Sequence, residues 1–165
     1  MARCLDCPKP LADWLTDTGS LTQRLRQHSG QTLTVERLSQ CWQRPLAAEA
    51  GLLGLRAGEL ALVREIVMSG RGQPWVYARS VFSQELLKGR LGFLAKRGNA
   101  PLGDVLFGNR YISRGFLSHQ RYPMQVVPAR FRAELTQNPW ARIGSFYADG
   151  LPLLVTEVFL ADFAP

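Results

Sequence analysis

One carboxylate interrupts an apolar run near the C-terminus, and it constrains the fold more than any other feature of the sequence. Residues 153–160 read LLVTEVFL, and every residue except Glu157 is apolar or β-branched. Such a run is typical of a strand buried on both faces of a sheet. A buried carboxylate is destabilising unless a partner compensates its charge. Glu157 therefore has either a structural cation beside it or a ligand.

The dipeptide Asp149-Gly150 is the strongest short hairpin signal in the chain. A two-residue loop there would pair residues 141–147 with residues 151–160 and place Arg142 directly opposite Glu157. A cross-strand ion pair between these two residues is the structural interpretation of Glu157. A bound ligand is the functional interpretation, and the pattern alone leaves both open.

A second apolar hairpin carries two arginines. Residues 60–68 (LALVREIVM) contain Arg64, and residues 74–82 (PWVYARSVF) contain Arg79. If Arg71-Gly72 forms a two-residue loop, Arg64 lies directly opposite Arg79, and the two like charges repel. A carboxylate between the guanidinium groups would remove this repulsion. A three-residue loop would separate the pair, and both residues could instead be edge arginines whose stems cover apolar surface.

Length and composition favour a single globular domain over residues 1–165. The chain is 46% hydrophobic and 20% charged, with a net charge of +7, and a domain of this size buries a sizeable core. Its basic residues are scattered rather than clustered, so we expect no nucleic-acid partner. A positive surface would also attract a small anionic substrate. No apolar stretch approaches the roughly 20 residues of a membrane span, and we expect a monomer.

The three cysteines argue for a reducing compartment, because an odd, small number does not suggest a disulfide framework. Together with an N-terminus that lacks the apolar core of a signal peptide, they predict a cytoplasmic protein. Cys4 and Cys7 form a lone C-x-x-C motif. A zinc site needs a second ligand pair, for which the chain offers only Cys41 and two isolated histidines, so we expect no metal.

Local patterns predict an α+β fold around an antiparallel sheet. Ser20 and Gln23 resemble a capping box that opens a helix through His28. Other predicted elements are helices at residues 10–15, 83–97 (interrupted by glycines) and from about Pro101, and strands at residues 31–42 and 111–118. Residues 45–59 have a mixed pattern that predicts irregular structure, and residues 120–137 have a weak pattern that predicts a long excursion.

Motifs of the common enzyme classes are missing from the sequence. It contains no G-x-S-x-G, no P-loop, no G-x-G-x-x-G before a helix and no H-E-x-x-H. What remains is buried arginine and buried carboxylate, which suit the binding of a carboxylated small molecule, or a reaction that needs little beyond correct binding.

An ordered set of short segments resembles the bacterial chorismate pyruvate-lyases, which make 4-hydroxybenzoate for ubiquinone. The matching segments are DWL (13–15), GSLTQR (19–24), VREI (63–66), QPW (73–75) with Ala78-Arg79, APLG (100–103) with Leu106-Phe107, WAR (140–142) and PLLVTEVFL (152–160). No single segment is specific, but they span nearly the whole chain in order. Residues 115–139 match the family poorly.

The resemblance implies a single α+β domain with an antiparallel sheet and flaps over an internal pocket, and no metal or organic cofactor. It implies that Arg64 binds the ring carboxylate of chorismate, that Glu157 meets the ring hydroxyl, and that Leu102 contributes to binding. Leu21 stands where the family often has a methionine in a flap. Core packing is the alternative for Leu21 and Leu102.

These expectations combine into one mechanistic hypothesis and one alternative. Loss of pyruvate aromatises the ring, so orientation and charge placement matter more than a strong nucleophile. Arg64 would anchor the ring carboxylate, Arg79 would favour the enolpyruvyl carboxylate, and Glu157 would assist removal of the ring proton. The alternative is a non-catalytic effector-binding domain of the same fold, as found in some bacterial transcription regulators.

Overall fold

A computed structural model describes residues 7–165, and its central feature is a six-stranded sheet. The strands, numbered in chain order, are β1 (Thr34–Gln43), β2 (Ala61–Gly70), β3 (Gln73–Ser83), β4 (Ile112–Arg121), β5 (Trp140–Ala148) and β6 (Leu151–Phe159). They lie in the order β1-β2-β3-β6-β5-β4, and all neighbouring strands are antiparallel. Cys4, and with it the Cys4–Cys7 motif, lies outside the described residues.

The helices of the described part are short; two precede β1 in the sequence and three lie between strands. They are α1 (Lys9–Thr16), α2 (Leu21–His28), α3 (Ala47–Leu53), α4 (Gln84–Lys88) and α5 (Gly103–Gly108). The helix α2 begins at the predicted cap, where Ser20 Oγ accepts a hydrogen bond from the backbone N–H of Gln23 at 3.3 Å. The predicted excursion at residues 120–137 holds two single 3₁₀ turns.

The expectation of irregular structure at residues 45–59 was wrong, because α3 lies within it. The residue at its N-cap is Leu46, which offers no side-chain oxygen, so the usual sequence signal for a helix start is missing. Glu49 supplies the cap instead, since its carboxylate accepts a hydrogen bond from the backbone N–H of Leu46 at 2.9 Å.

The central strands are apolar on both faces because both faces of the sheet are covered. The helices α1, α2, α4 and α5 pack on one face, where for example Leu15 and Leu25 meet Ile66. The helix α3 covers part of the other face, where Leu53 meets Val81. This arrangement confirms the predicted α+β fold with an antiparallel sheet.

The predicted C-terminal hairpin is confirmed, including its register. Asp149 and Gly150 both have positive φ (53° and 76°), the conformation of a two-residue hairpin loop that follows the twist of its strands. Arg142 lies directly opposite Glu157, and its Nε is 2.7 Å from Glu157 Oε2. The predicted cross-strand ion pair between Arg142 and Glu157 is therefore confirmed.

The predicted pairing of Arg64 with Arg79 was wrong, although the loop between β2 and β3 does consist of Arg71 and Gly72. Next to the loop the strands pair as expected, but Trp75 is an extra residue that forms a β-bulge. Its ring lies where a side chain on Gly70 would be. The bulge shifts every pair that lies farther from the loop by one position, so Arg64 lies opposite Ser80.

A shift of one residue turns a strand side chain to the other face of the sheet. Arg79 therefore lies opposite Glu65, on the face away from Arg64. Its guanidinium is paired with two carboxylates: Nε is 2.6 Å from Glu49 Oε1, and Nη1 is 3.4 Å from Glu65 Oε1. Tyr77 donates a hydrogen bond to Glu65 in the same cluster. Arg79 thus meets two acids, the buried Glu49 and the half-buried Glu65, rather than a second arginine.

We expect Arg79→Met to unfold more easily than the wild-type protein. Removing one partner of a buried ion pair leaves the other charge uncompensated, at a cost of roughly 3–5 kcal/mol in the free energy of unfolding. Urea denaturation measures this loss. The control Arg130→Met, which breaks an exposed pair with Glu36, should change it by less than about 1 kcal/mol. Equal stability of Arg79→Met and the wild type would contradict the assignment.

Candidate active site

A pocket lies between the sheet and the segments that contain α2 and α5. Apolar side chains form much of its wall. The polar side chains of the lining are Thr22, Arg64, Ser80, Arg114, Arg142 and Glu157. The pocket therefore combines a largely apolar wall with a few charged groups, as small-molecule sites commonly do.

Four of the five candidate residues from the sequence meet at this pocket. Arg64 on β2 and Glu157 on β6 contribute charged groups, while Leu21 on α2 and Leu102 before α5 contribute apolar surface. Leu21 and Leu102 are also buried, so the packing interpretation and the pocket interpretation both hold for them. Arg79 is not in the lining and lies on the opposite face of the sheet.

The guanidinium of Arg64 is buried without a carboxylate partner among residues 7–165. Its Nη2 donates hydrogen bonds to the backbone carbonyls of Gly98 (3.0 Å) and Ala100 (2.8 Å). Nε and Nη1 are buried and have no hydrogen-bond partner in the described chain. Burial, with the nearby charges of Arg97 and Arg37, lowers the pKa of Arg64 to about 10. The group stays protonated at neutral pH and can accept an anion.

Arg142 and Glu157 form the polar centre of the pocket. Arg142 is 2% exposed, and it donates hydrogen bonds to the carbonyls of Trp14 (3.2 Å), Asp17 (3.0 Å) and Gly19 (3.3 Å). Its Nε is close to Glu157 Oε2, but the N–H does not point at that oxygen and makes no hydrogen bond. The contact is therefore a charge pair with poor hydrogen-bond geometry, and it leaves Glu157 Oε1 for a ligand.

The segments that cover the pocket are tied to each other above it. The start of α5 approaches α2 so closely that a Cβ on Gly103 would lie 2.8 Å from Thr22 Oγ1. Arg26 on α2 and Asp104 on α5 form a bidentate ion pair with both N–O distances at 3.0 Å. The hydrogen bonds from Arg26 lower the pKa of Asp104. We call this pair the latch.

Sequence reasoning missed two contributions to the site. Arg142 was predicted only as the partner of Glu157, and Arg114 was not considered. Both line the pocket. Gly115 was the available signal for Arg114, since a glycine inside a strand often marks a bulge, and bulges redirect neighbouring side chains.

The arrangement suits a small anionic compound that also carries a hydroxyl group. Arg64 offers unpaired donors to a carboxylate, and Glu157 offers an acceptor to a hydroxyl group. Within residues 7–165 there is no cluster of three or more His, Cys, Asp or Glu side chains able to hold a metal ion. The same part of the chain contains no helix that is long and apolar enough to cross a membrane.

Comparison with known protein families and relatives gives a consistent result. The family described as chorismate lyase matches residues 3–163. A probable chorismate pyruvate-lyase 2 of Pseudomonas entomophila is 39% identical over 160 residues, which cover 97% of this chain and 84% of that protein. A probable chorismate pyruvate-lyase of Thiobacillus denitrificans is 36% identical over 165 residues, covering 97% of this chain and 87% of that protein.

Solved structures with the same fold include domains of transcription regulators. The effector domain of PhnF from Mycobacterium smegmatis has a TM-score of 0.57 at 15% identity, covering 88% of this chain and 91% of that one. The C-terminal domain of the histidine utilization repressor from Pseudomonas syringae pv. tomato has a TM-score of 0.55 at 8% identity, covering 78% and 90%. At these identities the likeness concerns the fold alone.

We expect benzoate to raise the melting temperature of the wild-type protein, because a ligand that binds only the folded state stabilises it. Arg64→Met should abolish this effect. It should leave the unliganded protein at least as stable, since it removes a buried cation and the carbonyls of Gly98 and Ala100 can bind water. Thermal denaturation with and without benzoate measures both quantities.

Arg56→Met is the control, because Arg56 is an exposed arginine outside the pocket, and it should keep the benzoate effect. An undiminished benzoate effect in Arg64→Met would show that the anion binds elsewhere.

Proposed function

Since this chain belongs to the chorismate lyase family and is an enzyme of the lyase class, we propose that it converts chorismate to 4-hydroxybenzoate and pyruvate. We further propose that this is the first step of ubiquinone biosynthesis, carried out by a cytoplasmic monomer. The observation that carries the proposal is the pocket itself, in which an uncompensated arginine and a carboxylate line one cavity.

The proposed reaction balances without any co-reactant. The bond between the ring and the ether oxygen breaks, and its electrons leave with the enolpyruvyl group. The ring carbon that bears the hydroxyl group loses its proton, and the ring becomes aromatic. A proton adds to the methylene carbon of the enolpyruvyl group to give the methyl group of pyruvate. One proton is lost and one is taken up, so neither water nor a redox cofactor is consumed.

The pocket residues have distinct roles in this proposal. Arg64 binds the ring carboxylate through Nε and Nη1, the atoms that have no partner within the described chain. Glu157 accepts a hydrogen bond from the ring hydroxyl and assists removal of the proton from the same carbon. Leu21 and Leu102 cover the ring and exclude water. Holding the substrate in one orientation lowers the activation barrier, and an elimination driven by aromatisation needs little further catalysis.

Pyruvate release tests the proposal directly. Purified protein incubated with chorismate should release pyruvate, detected with lactate dehydrogenase and NADH, together with an equal amount of 4-hydroxybenzoate, detected by chromatography. Tight binding of chorismate with no pyruvate would favour the alternative of a non-catalytic effector-binding domain. Protein treated with a chelator should be equally active, because no step of the reaction requires a metal.

Glu157→Gln keeps the size of the side chain and removes its charge. If Glu157 assists proton removal, kcat should fall by roughly 10²-fold, a typical contribution of a positioned acid or base, while the protein remains folded. Steady-state kinetics and thermal denaturation measure the two effects separately. The surface variant Glu36→Gln is the control and should keep full activity. A folded Glu157→Gln with full activity would restrict Glu157 to its pairing with Arg142.

Product release should limit turnover, because the groups that hold the ring also hold the product and the latch closes the covering segments over it. Asp104→Asn removes the charge that Arg26 binds. An exposed ion pair contributes up to about 1 kcal/mol, so kcat should rise by up to about five-fold, and inhibition by 4-hydroxybenzoate should weaken by a similar factor. Inhibition kinetics measure this.

Glu36→Gln, which breaks an exposed pair with Arg130, is again the matched control and should change neither quantity. If Asp104→Asn also changes neither, the latch has no part in product release.

A further inference from the structure

We propose that Arg114 binds the carboxylate of the enolpyruvyl group and is the second anion-binding residue of the pocket. This inference rests on the proposed function and extends it. It replaces the role that the sequence suggested for Arg79, which lies on the other face of the sheet.

A β-bulge in β4 directs Arg114 into the pocket. Arg114 lies opposite Phe146 and Leu117 lies opposite Gly144, so Gly115 and Phe116 together face Ser145 alone. The side chains of Ser145 and Tyr147 occupy the place where a Cβ on Gly115 would be, so the bulge requires glycine at this position. If the register of residues 117–121 continued without a bulge towards the start of β4, Gly115 would lie opposite Phe146. Arg114 would then point to the other face of the sheet.

The guanidinium of Arg114 is held in place but not neutralised. Its Nη1 donates a hydrogen bond to the carbonyl of Thr18, and its Cζ lies 5.3 Å from the ring centres of both Phe107 and Phe146. Its Nε is buried without a hydrogen-bond partner in the described part of the chain. No ion pair joins Arg114 to a carboxylate among residues 7–165, so the cation is available to an anion.

The charges of the pocket lining match a dianion. The lining contains three arginines and one glutamate, and Glu157 is paired with Arg142. Arg64 and Arg114 remain, and neither has an ion-pair partner among the described residues, although Glu157 and Asp17 attract Arg114 from farther away. Chorismate carries two carboxylates, whereas 4-hydroxybenzoate carries one. After pyruvate leaves, only one of the two cations would still have a partner.

The positions of the two arginines also fit the substrate. In the sheet order, β2 and β4 are four strands apart with β6 between them, or about 19 Å at ~4.8 Å per strand. Their long side chains extend into the same pocket from opposite sides, and Glu157 lies on the middle strand. In chorismate, the enolpyruvyl ether is on the carbon next to the one that bears the hydroxyl group, so its carboxylate extends past the hydroxyl and away from the ring carboxylate.

The test compares ligands with one and two carboxylates. Isothermal titration calorimetry measures binding of 4-hydroxybenzoate and of the diacid 3-(carboxymethoxy)-4-hydroxybenzoate, which keeps the hydroxyl group and carries the second carboxylate on the neighbouring carbon, to the wild type and to Arg114→Met. A hydrogen bond between charged groups is worth about 1.5–3 kcal/mol, or roughly 10–100-fold in affinity. Arg114→Met should lose this factor for the diacid, and in kcat/KM for chorismate, while binding of 4-hydroxybenzoate stays nearly unchanged.

Two further variants make the comparison specific. Arg121→Met is the matched control, because Arg121 is on the same strand, lies over the ring of Trp140 and donates to a backbone carbonyl, but is outside the pocket. It should bind all ligands as the wild type does. Arg114→Lys keeps the charge and should recover part of the diacid affinity, which also covers the case in which Arg114→Met does not fold.

Equal losses for the monoacid and the diacid would overturn the proposal, since they would mean that Arg114 acts only through Thr18 and the neighbouring α2. Unchanged affinity for the diacid would overturn it as well. The proposed function fails in a different way: wild-type protein would then release no pyruvate from chorismate, whatever the Arg114 variants bind.

Discussion

The buried guanidinium of Arg142 joins the two parts of the molecule that must meet to form the pocket. It rises from β5, pairs with Glu157 on β6, and donates hydrogen bonds to the carbonyls of Trp14, Asp17 and Gly19. These carbonyls belong to the end of α1 and the segment before α2. A buried cation is destabilising unless several partners satisfy it, so one interaction fixes both the charge beside Glu157 and the position of the helix that carries Leu21.

Arg64 and Arg79 show how the surroundings of a buried arginine separate stability from binding. Arg79 is neutralised by Glu49 and Glu65, and its cluster fastens α3 to the sheet. Within residues 7–165, Arg64 donates hydrogen bonds to the carbonyls of Gly98 and Ala100 alone, which orient the guanidinium without cancelling its charge. A charge that the fold leaves uncompensated is one that a ligand can compensate.

Two β-bulges decide which arginines reach the pocket. The bulge at Trp75 turns Arg79 away from it, and the bulge at Gly115 and Phe116 turns Arg114 towards it. Each bulge inserts one residue and so exchanges the faces of all residues beyond it. The packing of the Trp75 ring against Gly70, and of Ser145 against Gly115, stabilises the two irregularities. The alternation of apolar and polar residues along a strand does not reveal either contact, so the sequence pattern does not predict the two bulges.

The sequence by itself determined the elements whose causes are local. The Asp149-Gly150 loop and its register follow from two residues that tolerate positive φ, and the start of α2 follows from the hydroxyl of Ser20. The apolar run around Glu157 required a partner for that carboxylate, and Arg142 is that partner. Local backbone preferences and the cost of burying a charge act on any chain with these residues. The loop, the start of the helix and the need for a partner beside Glu157 could therefore be predicted before the fold was known.

Only the tertiary structure decided which face of the sheet each charge occupies. Register beyond a bulge depends on side chains that meet from distant parts of the chain, as Arg114 meets the carbonyl of Thr18. From the sequence pattern, an ion pair with Arg142 and the binding of a ligand were alternative interpretations of Glu157. In the structure, its carboxylate lies beside Arg142 and also lines the pocket. Packing across the sheet, which no single segment encodes, sets both outcomes.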